Sequence, residues 1–92
     1  MTEAQIEKKV CDYVKSKGGI AYKFTSPARR SVPDRLIVMP EGATFFIEFK
    51  KPGGKLTCGQ EREIERLRKL HQVVYVIDDV IEGKRAVDWE AV

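Results

Sequence analysis

Residues 33–50, PDRLIVMPEGATFFIEFK, decide the fold that this sequence predicts. Two runs of β-branched, aromatic and aliphatic residues, 36–39 and 44–49, flank the turn-forming stretch 40–42. Such runs fit the pleated, half-buried surface of a strand, and proline and glycine between them favour a turn. The pattern therefore predicts a β-hairpin that folds back near Glu41.

The hairpin brings charged residues together at its open end. With the turn centred on Glu41, Asp34 lies opposite Glu48 and both side chains share one face of the sheet. Lys50 joins that face because residues i and i+2 of a strand point the same way. Two facing carboxylates repel each other, and a divalent cation such as Mg²⁺ resolves that conflict by binding carboxylate oxygens. A nearby ammonium could then orient or deprotonate an attacking water, as in phosphodiester hydrolysis.

A simpler interpretation of these charges is structural. Asp34 would end a turn, and the second strand would finish in the solvated charges Glu48, Lys50 and Lys51. Short patterns of this kind recur by chance, so the hairpin alone leaves both interpretations open.

Length and composition indicate one small globular domain, residues 1–92, with a heavily charged surface. Apolar residues make up 42% and charged residues 34% of the chain. We expect no membrane span, since no apolar run approaches the ~18–20 residues that one requires, and we expect no signal peptide. Seventeen basic and 14 acidic residues give a net charge of +3. A bound divalent ion would make the working surface more positive, so a polyanionic partner is plausible.

Cysteine usage points to a reducing compartment. The two cysteines, Cys11 and Cys58, lie far apart in sequence and lack C-x-x-C spacing. Neither a zinc site nor a disulfide framework is indicated, and we expect a cytoplasmic protein, in the host cytoplasm if it is viral.

The first predicted helix covers about residues 3–17. Thr2 and Gln5 form a capping box, apolar residues recur at helical spacing, and Gly18 follows the last of them. Glu3 and Glu7 fall on the apolar side. They either complement the helix dipole in the first two turns or supply a third carboxylate to the hairpin site. Glu3 lies nearer the end of the helix that frays.

A short strand, residues 20–24, should lie beside the hairpin, and an irregular basic loop, residues 25–33, leads from it to Asp34. In that loop Arg29 and Arg30, together with Ser26 and Ser31, can bind phosphate oxygens. Taken in isolation, an arginine pair more often belongs to a solvated surface loop, but the position of this pair just before the hairpin site favours the functional interpretation. Residues 51–55, KPGGK, predict a flexible basic connector that either follows a phosphate chain or acts as a spacer.

The second predicted helix covers about residues 58–71 and begins with a capping box of Thr57 and Gln60. Its inner face is expected to carry Ile64, Leu67, Leu70 and His71. Gln60 also points inward, where its amide suits a hydrogen bond to a metal-bound water or a phosphate; its role in the cap is compatible with that. His71, the only histidine, is expected to end the helix rather than to bind a metal.

The C-terminal part predicts a strand and a terminal helix. Residues 73–77, VVYVI, form a continuous apolar run typical of a strand that is buried on both faces. After it, residues 80–92 predict a turn and a short helix, with Val87 and Trp89 packed against the rest.

In this order the elements resemble the PD-(D/E)xK nuclease superfamily, and more narrowly a stand-alone VRR-NUC domain, the virus-type replication and repair nuclease module. The resemblance spans nearly the whole chain and rests on these pieces: Ile6-Glu7, Gly18-Gly19, residues 23–27, residues 32–35, residues 46–50, residues 52–54, Gln60 and residues 76–78. It implies an α/β protein with a restriction-endonuclease-like αβββαβ core, in which helices flank a mixed central sheet. Two positions depart from the pattern, since Ala28 and Ser31 stand where glycines are expected.

The resemblance also implies a site. Asp34 and Glu48 would bind Mg²⁺ or Mn²⁺ together with the backbone carbonyl of Phe49. Glu7 would add an acidic group as a catalytic residue and metal ligand, in competition with Glu3, while Lys50 would position or activate water and Gln60 would complete the catalytic set. The residues expected to contact nucleic acid are Lys23, Ser26, Arg29, Arg30, Arg35, Lys51 and Lys55.

The resulting expectation is a Mg²⁺- or Mn²⁺-dependent, structure-selective DNA endonuclease. Small members of this family resemble resolvases of branched DNA, such as four-way (Holliday) junctions in repair. A C2 homodimer would match the two-fold symmetry of such a junction. The alternatives are a non-catalytic nucleic-acid-binding or assembly domain that keeps the fold, and a purely structural interaction domain.

Overall fold

A four-stranded mixed sheet organises the chain, and the structure, a computed structural model, describes residues 1–92. The strands lie in sequence order, with β1–β2 and β2–β3 antiparallel and β3–β4 parallel. The strands are β1 (Ile20–Lys23), β2 (Arg35–Val38), β3 (Thr44–Phe49) and β4 (Val74–Ile77). The helices are α1 (Glu3–Ser16), α2 (Cys58–Lys69) and α3 (Val80–Glu90). The predicted αβββαβ order and mixed sheet are confirmed, and α3 follows them.

The central hairpin has the register that the sequence predicts. Arg35 pairs with Ile47 and Val38 with Thr44 across β2 and β3. The connection is a short 3₁₀ turn in which Glu41 adopts φ 71° and Gly42 φ 101°. Positive φ at two successive residues lets the chain reverse tightly at the position expected.

The two faces of the sheet carry different kinds of side chain. One face packs its apolar residues against α1 and α3, in a core that includes Ile6, Val10, Val14, Ile37, Met39, Phe45, Ile47, Phe49, Ile77, Ala86 and Val87. The opposite face carries Phe46 and Glu48, because successive residues of β3 alternate between faces. There Phe46 contacts Phe24, with 5.4 Å between ring centroids, and α2 covers Glu48 through Gln60.

Both predicted helix starts are confirmed, and the two helices end at Ser16 and Lys69, slightly before the predicted ends. Complete capping boxes begin α1 at Thr2 and α2 at Thr57. Each helix ends in a left-handed residue, Gly18 with φ 85° and His71 with φ 64°. The amide after each of these residues bonds back to the helix, as in a Schellman motif. None of the three helices is both long and apolar enough to cross a membrane.

Three expectations about burial were wrong. β4 is not buried on both faces, since Val76 is 38% exposed, because β4 is an edge strand and α2 covers only part of it. Leu70 is 64% exposed and His71 is exposed too, because α2 already ends at Lys69 and the chain turns away. Val87 is fully buried as predicted, but Trp89, two residues later on the helix, is 75% exposed.

Residues 51–54, predicted as a flexible connector, form a closed turn. The Gly54 amide donates to the Lys51 carbonyl at 2.8 Å, and Gly53 adopts φ 73° in between. The Gly53 amide also donates to Asp78 Oδ2 at 3.1 Å, at the carboxyl end of β4. The chain that follows Lys50 is therefore fixed to the neighbouring strand.

The contact between α1 and α3 depends on a glycine. A Cβ on Gly83 would lie 2.5 Å from Val10 Cγ2 and 3.1 Å from Ile77 Cγ2. Gly83→Ala should therefore destabilise the protein by about 1–2 kcal/mol. Alanine has a higher helix propensity than glycine by ~1 kcal/mol, but the cost of overpacking against rigid β-branched neighbours exceeds that gain. Urea denaturation followed by circular dichroism measures the difference. Arg85→Ala on the exposed side of α3 is the control and should change stability by less than about 0.5 kcal/mol; an equal or more stable Gly83→Ala protein would contradict this packing.

Candidate active site

Asp34 and Glu48 meet at the open end of the β2–β3 hairpin. Asp34 immediately precedes β2, and its Oδ2 accepts a hydrogen bond of 2.7 Å from the Phe49 amide. Its carboxylate therefore lies against the end of β3. Glu48 lies on the face opposite the main core and is 3% exposed. The register thus brings the two carboxylates together, as the hairpin pattern predicts.

Gln60 links this pair to α2. Its Nε2 donates to Glu48 Oε2 at 3.2 Å, while its Oε1 accepts from the Thr57 amide at 3.0 Å. The predicted role of Gln60 in the cap is therefore confirmed, and its inward amide contacts Glu48; a bond from it to a metal-bound water or a phosphate stays a prediction. The capping box fixes the amide orientation, so that its donor end faces the carboxylate.

Glu48 has a strongly perturbed acidity. Its pKa is raised from 4.5 to about 8, mainly because burial disfavours the charged form. The neighbouring charge of Asp34 raises it further, and Glu3 adds a smaller effect of the same sign. Lys50 acts in the opposite direction, as expected of an ammonium on the same side of the strand. Lys50 is half-buried.

The oxygen chemistry of the pair fits a hard divalent cation. One oxygen of each carboxylate is held by a protein donor, Asp34 Oδ2 by the Phe49 amide and Glu48 Oε2 by Gln60. The other oxygens accept no protein hydrogen bond, and no buried polar side-chain atom lacks a partner, so they reach solvent. No three His, Cys, Asp or Glu side chains cluster anywhere in the protein. Two carboxylates with open coordination positions are what Mg²⁺ typically takes from a protein, water and phosphate supplying the rest.

The structure does not bring Glu7 to this pair. Glu7 Oε2 accepts from Arg35 Nε at 2.7 Å, and Arg35 Nη1 donates to the Ala21 carbonyl at 3.0 Å. Arg35 follows Asp34 directly, so its side chain points to the opposite face, where α1 packs. Glu3, the other acid on α1, slightly raises the pKa of Glu48 by its charge. The metal and catalytic roles of Glu7 stay predictions, as does the Phe49 carbonyl as a ligand.

The residues predicted to contact nucleic acid divide into two groups. Arg35 is held inside by Glu7 and Ala21 and does not stand with the others at the surface. The rest lie on segments next to the site: exposed Lys23, Arg29, Arg30, Lys51 and Lys55, and half-buried Ser26. Their contact with nucleic acid stays a prediction, since surface exposure alone permits it.

Ser31 in the basic loop, residues 25–33, stands where the family pattern leads us to expect a glycine, and its backbone adopts a conformation that is typical of glycine. Ser31 adopts φ 64°, a conformation that disfavours a side chain. Gly59 on α2 makes room for it, because a Cβ there would lie 2.8 Å from Ser31 Oγ. Pro33 is fully buried next to Asp34. The loop is therefore packed onto α2 on its way to the site.

Sequence reasoning missed Glu63, which is 8% exposed and lies between two arginines. The sequence does contain one signal for the burial of Glu63: it lies three residues after the inward-pointing Gln60, and residues i and i+3 share one side of a helix.

Comparisons with known proteins agree with this geometry. No family sequence model matches the chain. A protein named "Putative nuclease p44", from Acyrthosiphon pisum secondary endosymbiont phage 1, is 51% identical to it over 76 residues, 83% of this chain and 82% of that protein. A solved structure described as a VRR_NUC domain shares 28% identity and superposes with a TM-score of 0.87, covering 96% of this chain and 97% of that one. Both the related nuclease and the VRR_NUC structure match most of the length of this chain. The chain therefore belongs to the VRR-NUC family of nuclease domains.

Proposed function

We propose that this nuclease is a Mg²⁺- or Mn²⁺-dependent endonuclease that hydrolyses phosphodiester bonds in DNA. The observation that carries the proposal is the convergence of Asp34 and Glu48 across the β2–β3 hairpin, each with one oxygen free of protein donors. A sheet built for stability alone gains nothing from a buried carboxylate facing a second one.

Each residue of the site has a definable part. Asp34 and Glu48 would hold the ion, and the bound ion would polarise the scissile phosphate and lower the pKa of a water. The Phe49 amide and Gln60 fix the two carboxylates, so that their free oxygens keep a constant orientation. Lys50 lies near Glu48, where its ammonium can orient the attacking water or compensate the charge that develops on phosphate.

Branched DNA is the substrate that we propose, with a four-way junction as its simplest form. The chain supplies one site, and one site cuts one strand. A C2 homodimer would present two equivalent sites to the two equivalent strands of a junction. The exposed basic residues around the site, Arg29, Arg30, Lys51 and Lys55 among them, supply charge for the phosphates that converge at a branch.

Removing the site residues tests the activity. Asp34→Asn, Glu48→Gln and Lys50→Ala should each reduce cleavage of a labelled four-way junction by at least ~100-fold in Mg²⁺ or Mn²⁺, because each removes a group needed for ion binding or for water positioning. EDTA should abolish cleavage by the wild type. Binding to the same junction in EDTA should survive in all three variants.

The matched control for that assay is Asp12→Asn, an equally conservative change at an exposed acid on α1 that pairs with Lys8. It should cleave like the wild type. Full cleavage by Asp34→Asn would refute the assigned site. Salt-sensitive binding without turnover in either metal would instead show a non-catalytic nucleic-acid-binding domain, which is the alternative function.

The pKa of Glu48 predicts how stability varies with pH in EDTA. A carboxyl whose pKa is about 8 in the fold, against an ordinary 4.5, binds its proton more tightly in the folded state. Its contribution is therefore complete at low pH and is lost as pH rises from about 5 to 8. The wild type should lose at least about 1 kcal/mol over this window, a fall in Tm of ~4–8 °C, and Glu48→Gln should lose less.

Thermal melts between pH 5 and 9 measure this difference. At pH 8, Mn²⁺ should raise the Tm of the wild type, since an ion that binds only the folded state stabilises it, and should leave Glu48→Gln unchanged. Asp12→Asn should follow the wild type in both series. Identical pH profiles for the wild type and Glu48→Gln would contradict the perturbed acidity of Glu48.

The substrate and the assembly are tested together. Four-way, flap and linear DNA of equal length are compared under single-turnover conditions, and sedimentation equilibrium gives the mass of the protein. We expect a dimer mass and paired incisions on opposite strands of the four-way junction. A monomer that nicks linear and branched DNA at equal rates would reject the junction proposal and leave the nuclease assignment standing.

A further inference from the structure

Glu63 is the one buried carboxylate on α2. It is 8% exposed, whereas its neighbours Glu61 and Glu65 on the same helix are exposed. Burying a carboxylate is costly unless cations compensate it. The active site described above does not use Glu63, so its burial has another cause.

Two arginines from different parts of the chain compensate Glu63. Its Oε1 lies 3.7 Å from Arg29 Nη1 in the basic loop and 3.5 Å from Arg66 Nε on α2. Both arginine side chains are more than half exposed, while the carboxylate side chain beneath them is 10% exposed. The anion thus lies inside and the two guanidinium groups lie at the surface.

The geometry leaves most of each guanidinium available. The separations are those of ion pairs rather than of short hydrogen bonds, and neither guanidinium donates a hydrogen bond to the rest of the protein. A guanidinium carries five N–H donors in a plane, a shape that matches phosphate oxygens. Two of them held side by side form a surface suited to consecutive phosphates of a nucleic acid strand.

This surface is connected to the active site through α2. Gln60, which holds Glu48, and Glu63, which holds the loop, lie three residues apart on one side of the helix. Ser31 of the same loop packs over Gly59, and the loop continues through buried Pro33 into Asp34. Slightly less than one helical turn, a rise of ~4.5 Å, therefore separates the residue that supports Glu48 from the residue that supports the arginines.

We propose that Glu63 is a positioning residue, which holds Arg29 and Arg66 together as a binding site for the phosphates next to the scissile one. This deepens the proposed nuclease function and rests on it. Arg66 is not among the residues that the sequence predicts to contact nucleic acid, and its pairing with Glu63 places it beside Arg29.

The direction in which Glu63→Gln changes DNA affinity shows whether Glu63 positions the arginines or acts only through its own negative charge. If Glu63 acts only as a negative charge near DNA, Glu63→Gln removes a repulsion and binding tightens. If it positions the arginines, Glu63→Gln releases them and binding weakens. Fluorescence anisotropy with a labelled four-way junction in EDTA measures Kd without any cleavage. We expect Kd to rise about threefold or more, and the slope of log Kd against log salt to fall by up to ~1.

Coupling to Arg29 completes the binding test. Arg29→Gln alone should weaken binding by a similar factor, and adding Glu63→Gln to it should weaken binding by a smaller factor than Glu63→Gln does alone, because one of the two arginines that Glu63 holds is already gone. Glu65→Gln is the matched control, an exposed acid paired with Lys69 on the same helix, and should leave Kd unchanged. If Glu63→Gln fails to fold, surface-exposed Arg29→Gln still tests the site from the loop side.

Kinetics in Mg²⁺ give a second readout. Glu63→Gln should raise KM and keep kcat within about twofold, because the residue touches phosphate-binding groups and not the reacting atoms. Unchanged or tighter binding by a folded Glu63→Gln protein, or additive effects with Arg29→Gln, would overturn the proposal. Wild-type protein that binds the junction but cuts nothing in either metal would refute the nuclease function alone, and wild-type protein that binds no DNA would refute both.

Discussion

The hydrogen bond from the Phe49 amide to the Asp34 carboxylate closes the open end of the β2–β3 hairpin, and the rest of the site depends on it. It exists because β2 and β3 pair in one register, which the left-handed residues Glu41 and Gly42 set at the turn. A shift of one residue would move Glu48 to the opposite face of the sheet, against the main core. Fold and chemistry are thus determined by the same strand pairing.

The two faces of the sheet divide stability from function. The face toward α1 and α3 buries the apolar core, and Arg35 and Glu7 form an ion pair at its margin. The other face holds Asp34 and Glu48, where burial and the neighbouring charge of Asp34 raise the pKa of Glu48, so the charged form of Glu48 costs stability near neutral pH. A small domain can tolerate this because its hydrophobic contacts are concentrated on the side where no charge has to be bound.

Helix α2 contacts both the candidate site and the basic loop beside it. Along one side of α2, Gly59 receives the basic loop, Gln60 holds Glu48 and Glu63 faces Arg29. The capping box at Thr57 fixes where this helix starts, and hence where each of these contacts falls. The VRR_NUC structure at 28% identity keeps the same fold at a TM-score of 0.87. A strand register and a helix start are properties that a sequence can retain while most of its residues change.

The sequence by itself determined the order of the elements, the hairpin register and the meeting of Asp34 with Glu48, because periodicity, capping boxes and turn residues act within short stretches of chain. Only the tertiary structure decided that Arg35 draws Glu7 to the opposite face, that Asp78 closes the turn after Lys50, and that Glu63 joins the loop to α2. It also decided that Trp89 and Val76 are exposed. These outcomes depend on which elements pack against each other. Contacts between residues that are far apart in the chain produce no periodic sequence pattern from which they could be predicted.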